Sequence, residues 1–129
     1  RGLGDVYKRQ GPKCLALLNA YPYTSGHLLV VPLRAVVALA ELSEDEHAEL
    51  WSTVRDAVAA VEAAYSPGGV NVGLNQGAAA GAGVPGHLHV HVLPRWSGDT
   101  NFMTATANTR VLPEALDETW RRVVATWPS

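Results

Sequence analysis

An α+β fold, with a mostly antiparallel sheet and helices on one side, is predicted by three observations. CLALLN (14–19) and GHLLVVP (26–32) flank YPYTSG (21–26), two apolar runs around a turn-rich segment. One strongly capped amphipathic helix follows. GVNVGLN (69–75) and the segment starting HLHVHVL at 87 then read as two further strands on either side of a Gly/Ala loop.

CLALLN is a buried strand by composition, and the Pro, Ser and Gly of YPYTSG make the next strand antiparallel to it. Ser43 with Glu46 forms a capping box. His47, Trp51, Val54, Val58, Val61 and Tyr65 follow at three- and four-residue steps, so the spacing predicts a helix over 44–65 with this face on the sheet. Ser66-Pro67-Gly68-Gly69 ends it. Pro113 and Glu114 open a closing helix that runs to about Thr126. RGLGDVYKRQ shows neither helical nor strand periodicity and joins the first strand through Gly11-Pro12. Residues 1–12 therefore read as a non-native or disordered N-terminal segment, and residues 13–127 as the domain.

Composition removes several function classes. A chain of 129 residues suits one hydrophobic core, and 47% hydrophobic with 17% charged residues suggests neither disorder nor a membrane span. A net charge of −2 provides no basic field for nucleic acid. Any anionic ligand must be held locally. The single Cys14 excludes an intrachain disulfide and a cysteine zinc site, and fits a reducing cytoplasm.

The chemistry is concentrated in HLHVHVLPRW (87–96) and the loop before it. Residues two apart on a strand share a face, roughly 6.6 Å from one another, so His87, His89 and His91 form one imidazole row while Leu88, Val90 and Val92 face the core. Such a row has three readings: structural histidines on a half-exposed strand, a zinc site with an open position, or covalent catalysis at phosphorus. For the third, a neutral imidazole is a good nucleophile at neutral pH and leaves again from a phosphoramidate. NQGAAAGAGVPG (75–86) provides small side chains beside the row, so an anion can approach backbone N–H groups. The contiguity of loop and row favours catalysis, and against zinc no Asp, Glu or Cys lies within the segment.

These residues resemble the histidine-triad superfamily, whose pattern is His-x-His-x-His and two apolar residues after a Gly-rich loop. The likeness extends over about 13–127, since SGHLLVVP and NVGLNQG match two of the family's other strands. It implies a five-stranded sheet with one long helix and a C-terminal helix. It also implies a homodimer, and cleavage of a nucleotide at the α-phosphate. On that resemblance His89 is the nucleophile, His91 contacts the scissile phosphate oxygens, His87 orients the nucleophile, and His27 supports the triad from behind. Asn19 matches a ribose-binding position, Gln76 a phosphate-contacting Gln of the fragile-histidine-triad branch, and Asn75 stands beside it. Ala82, Gly83, Val84 and Pro85 form the phosphate cradle, Val84 through its backbone. PRWSGDTNFM (94–103) is more similar to bacterial diadenosine polyphosphate phosphorylases, with Trp96 near the substrate.

The resemblance implies dinucleoside polyphosphates of the diadenosine type as substrates, with water or orthophosphate as acceptor. No metal or other cofactor is required, though Mg²⁺ can accompany the polyphosphate. The family's earlier strands have no visible counterpart in RGLGDVYKRQ, which implies an N-terminally truncated domain. A different class of function on the same scaffold is a non-catalytic nucleotide-binding or signalling module.

Overall fold

The computed structural model describes residues 8–19, 25–82, 86–97 and 114–128. Within them lie five strands, β1 (Lys8–Gln10), β2 (Cys14–Leu18), β3 (Leu28–Pro32), β4 (Gly69–Leu74) and β5 (Val90–Arg95), and two helices, α1 (Glu44–Tyr65) and α2 (Leu116–Thr126). The strands form one sheet in the order β1-β2-β3-β5-β4, with every described pair antiparallel. The last strand thus lies inside the sheet. That placement flanks His91, the last of the three histidines, with a strand on each side.

Parity sorts the sheet into two faces. Cys14, Ala16 and Leu18 of β2, Leu28 and Val30 of β3, and Val90 and Val92 of β5 are buried against Leu50, Val54, Ala57, Ala60 and Val61 of α1 and Val123 of α2. Removing these side chains from water is the main stabilising term of the fold. The intervening residues point to the other face, where the histidines are.

The hairpin of β2 and β3 pairs as expected, from Cys14 opposite Pro32 to Leu18 opposite Leu28, and the Asn19 N–H donates to the His27 carbonyl at 3.0 Å. Helix α1 also has the expected limits. Ser43 Oγ accepts from the Glu46 N–H at 3.1 Å while Glu46 Oε1 accepts from the Ser43 N–H at 2.8 Å. Glu46 further holds Arg34 through two bonds of 3.0 and 2.8 Å, tying the β3–α1 connection to the helix start. The Arg34 hydrogen bonds, then the Ser43 amide, hold the Glu46 carboxyl at about 2. At the other end Ser66 takes the left-handed conformation (φ 44°) and closes α1.

Three sequence expectations are corrected. The segment 1–12 contains a strand: Lys8 to Gln10 pair with Leu17 to Leu15. Three residues at the sheet edge, two of them exposed, are too few to display a periodicity. The turn behind them is instead fixed from a distance, because Glu49 Oε2 accepts from both the Lys13 and Cys14 amides at 2.8 Å. The buried stripe of α1 is displaced from the expected one. Leu50, Val54, Ala57, Ala60 and Val61 face the sheet, while His47 and Trp51 are exposed and pack edge to face on each other. Two alanines in the stripe let the helix approach the sheet closely, and a stripe chosen by bulk overlooks them.

The third correction concerns α2, which starts at Leu116 rather than at Pro113 or Glu114; Pro113 lies outside the described residues. Glu114 is drawn out of the helix. Its N–H donates to Ser25 Oγ at 2.8 Å, and its carboxylate accepts from the Tyr65 hydroxyl and, at 2.8 Å, from Thr119 Oγ1.

Candidate active site

The ladder between β3 and β5 ends where Val30 meets Val90, so His87, Leu88 and His89 stand just beyond it. The β3–α1 connection takes over as partner there. The Leu88 N–H donates to the Val36 carbonyl at 2.7 Å, and His87 Nε2 donates to the Pro32 carbonyl at 2.8 Å. Alternation therefore continues past the ladder. Leu88, Val90, Val92 and Pro94 are buried, and His87, His89 and His91 are partly exposed on the opposite face.

Each ring is held by a different partner. His89 Nδ1 lies 3.0 Å from the carbonyl of His87. A carbonyl only accepts, so Nδ1 of His89 carries a proton, and in the neutral ring the lone pair is at Nε2. His87 thus orients the middle histidine through its backbone, while its own ring is spent on Pro32. That acceptor has no signature in the sequence beyond the end of the VVP strand, 55 residues before His87. His91 packs 5.0 Å from His89, ring centre to ring centre, and its Nδ1 lies 3.0 Å from Nε2 of His27. His27 is 1% exposed, and its Nδ1 lies 3.3 Å from the carboxamide nitrogen of Asn19.

Burial, and then the neighbouring His91, pushes the His27 imidazole down to about 4. Burial, and then His89, pushes His91 below its ordinary value too. Both rings are neutral at neutral pH. Among the described residues no group of three or more His, Cys, Asp or Glu is placed to hold a metal ion. One nitrogen of each ring in the row is engaged by a carbonyl or by the His27 ring.

The loop before the row is placed less fully. Gly83, Val84 and Pro85 lie outside the described residues. The amide of Ala82 is not bare as expected: it donates to the Gly77 carbonyl at 3.2 Å, closing the turn at Ala78–Ala80. Positive φ at Gly77 (88°) and Gly81 (92°) permits that turn. Asn75 Nδ2 donates to the Gly81 carbonyl at 3.4 Å, so it braces the loop. Gln76 Oε1 accepts from the Leu39 N–H at 2.9 Å, which docks the loop on the β3–α1 connection. Trp96 follows β5 and is 37% exposed. Arg95 beside it hydrogen-bonds Asn71 of β4. The structure thus brings His27, Asn19, His89 and His91 together, with His87 at the row's end.

Comparison with known proteins gives the same pattern a wider setting. The HIT domain family model matches residues 6–98. A protein of Mycobacterium tuberculosis (strain ATCC 25618 / H37Rv), named AP-4-A phosphorylase, is 44% identical over 118 residues, which are 92% of this chain and 60% of that protein. The asymmetrical bis(5'-nucleosyl)-tetraphosphatase of Schizosaccharomyces pombe is 39% identical over 84 residues, 65% of this chain and 46% of that protein. The chain therefore spans less than two thirds of either relative. Among solved structures, a Hit-like protein from Bartonella henselae superposes with a TM-score of 0.76 at 21% identity, covering 93% of this chain and 86% of that one. That likeness concerns the fold: an α+β domain built on an antiparallel five-stranded sheet.

Proposed function

The chain belongs to the HIT domain family, and on that premise we propose that it cleaves dinucleoside polyphosphates of the diadenosine type at the α-phosphate through a nucleotidyl-His89 intermediate. The observation that carries this reading is the 3.0 Å contact from His89 Nδ1 to the His87 carbonyl, which leaves the lone pair at Nε2. In the first step that lone pair forms a P–N bond as the bond from phosphorus to the bridging oxygen breaks and the nucleoside polyphosphate leaves with the electron pair. His91 and the backbone N–H groups of Gly83 and Val84 receive the phosphoryl oxygens. In the second step an acceptor oxygen attacks phosphorus and the P–N electrons return to Nε2. Two inversions give net retention.

The acceptor we infer is orthophosphate, because the phosphorylase relative matches more of this chain at higher identity than the tetraphosphatase. Asn19 holds the ribose, Gln76 reaches the polyphosphate after releasing Leu39, and Trp96 covers the substrate. The chain works without a metal of its own, with Mg²⁺ carried by the polyphosphate. It forms a homodimer in a reducing cytoplasm. The open outer edge of β4 among the described strands supports the first, and the buried free thiol of Cys14 supports the second.

Product analysis with diadenosine tetraphosphate tests the reading. A nucleoside diphosphate formed only with orthophosphate, and a nucleotidyl adduct on His89 trapped for mass spectrometry, are expected. A monophosphate in both conditions makes water the acceptor. Tight binding with neither adduct nor product indicates a binding module, and loss of turnover with chelator alongside stoichiometric bound metal indicates a zinc hydrolase.

A further inference from the structure

We propose that Asn19 is a positioning residue that sets the direction of proton donation along the chain Asn19–His27–His91, so that His91 presents an N–H, and not a lone pair, at Nε2. The inference follows from donor inventory alone. A carboxamide nitrogen donates and has no lone pair to offer, so at 3.3 Å from Asn19 Nδ2 the Nδ1 of His27 is an acceptor. A neutral imidazole has one N–H, and that of His27 is then at Nε2. Nε2 faces His91 Nδ1 at 3.0 Å, and two facing nitrogens cannot both donate. His91 Nδ1 accepts, which leaves its own proton on Nε2.

Burial makes this polarity firm. His27 is 1% exposed, so water does not compete for either nitrogen. Its depressed basicity, to about 4, keeps it neutral and limited to a single N–H at neutral pH. His91 is a titratable group it touches, and that ring is likewise held neutral by burial and by His89. Turning the Asn19 carboxamide to place oxygen on His27 would reverse every donor in the chain, and His91 would then offer a lone pair at Nε2.

The consequence, which rests on the phosphoryl-transfer reading, is a matched pair of neighbouring rings. His89 is backed by a carbonyl and exposes a lone pair at Nε2. His91, 5.0 Å away centre to centre, is backed by an imidazole and exposes an N–H. One attacks phosphorus and the other donates to its oxygens. Asn19 decides the second through its contact with the His27 ring.

Long-range ¹H–¹⁵N spectra of the free ¹⁵N-labelled protein at neutral pH test the assignment. Both His27 and His91 are expected with pyrrole-like Nε2 and pyridine-like Nδ1 resonances. A pyrrole-like Nδ1 on His91 overturns the proposal. In Asn19→Asp the new partner only accepts, so Nδ1 of His27 is expected to acquire a proton and the His27 pKa to rise by about two units or more. An unchanged His27 Nδ1 resonance in a folded Asn19→Asp protein also overturns it. If Asn19→Asp does not fold, the wild-type spectrum decides by itself. These readings are taken without substrate, so a failure of the dinucleoside polyphosphate assignment leaves them intact, and their failure leaves the trapped His89 adduct intact.

Discussion

The two faces of the segment 87–95 are made of alternate residues of one strand, yet they perform different work. Leu88, Val90, Val92 and Pro94 point toward α1 and α2 and are buried. His87, His89 and His91 point away and are partly exposed, each with a ring nitrogen engaged. The dry face holds the fold together through area removed from water, whereas the polar face orients lone pairs and protons through a handful of hydrogen bonds. A single residue of slip would exchange the two. The inner position of β5, between β3 and β4, fixes its register from both sides.

The largest expected effect comes from the polar face. His89→Asn lowers turnover by roughly 10⁴-fold or more, while stability to urea changes by less than about 1 kcal/mol. Steady-state rates and unfolding curves on the same preparation check both halves. A variant that keeps turnover within about tenfold of wild type would break the division between the faces.

The second effect arises where the faces meet, at His27, a polar-face residue with a core residue's burial. Its folded-state pKa of about 4 lies below the ordinary 6.5, so between these values the unfolded chain binds more protons than the folded one. Stability therefore rises with pH through that window. It is fully present above about 6.5 and is lost as pH falls to about 4, by an amount on the order of 3 kcal/mol. Glu46, held at about 2, titrates in a lower window and loses its contribution only as pH falls further. Urea midpoints across pH 4 to 7 check the slope, and His27→Gln reduces it to the part that His91, also held below its ordinary value, contributes. A variant that keeps the same slope assigns it to another group.

The same division explains what could be read from the chain itself. The β2–β3 hairpin and both ends of α1 were legible because their causes are local: a turn between apolar runs, Ser43 three residues before Glu46, Pro and Gly after Ser66. The alternation of His87, His89 and His91 likewise announces its own face. What was illegible depends on partners far along the chain. The strand at Lys8–Gln10 is defined by pairing with β2 and by Glu49 on α1, and no pattern in three residues reveals it. The partner of the His87 ring is a carbonyl, a group every residue possesses. The start of α2 shifted because Ser25 and Tyr65 claim Glu114. Asn19 was legible as a site residue by resemblance, but its contact with His27 Nδ1 required the hairpin to close.

The third and fourth effects come as a pair and sharpen the contrast with one substitution made twice. Val92 and Val72 are direct partners across β5 and β4, on the helix side of the sheet, yet Val92 is fully buried and Val72 is 43% exposed. Val→Thr keeps the β-branched shape and exchanges a methyl for a hydroxyl, so β propensity is held nearly constant and solvent access becomes the variable. At Val92 the hydroxyl enters a core of aliphatic side chains and costs about 2 kcal/mol. At Val72 it meets water at the sheet edge, and the cost is less than about 0.5 kcal/mol. Urea unfolding of the two single variants measures the difference directly. Equal costs would mean that Val72 is covered in solution by another surface, and their dependence on protein concentration would show whether that surface belongs to a second copy of the chain.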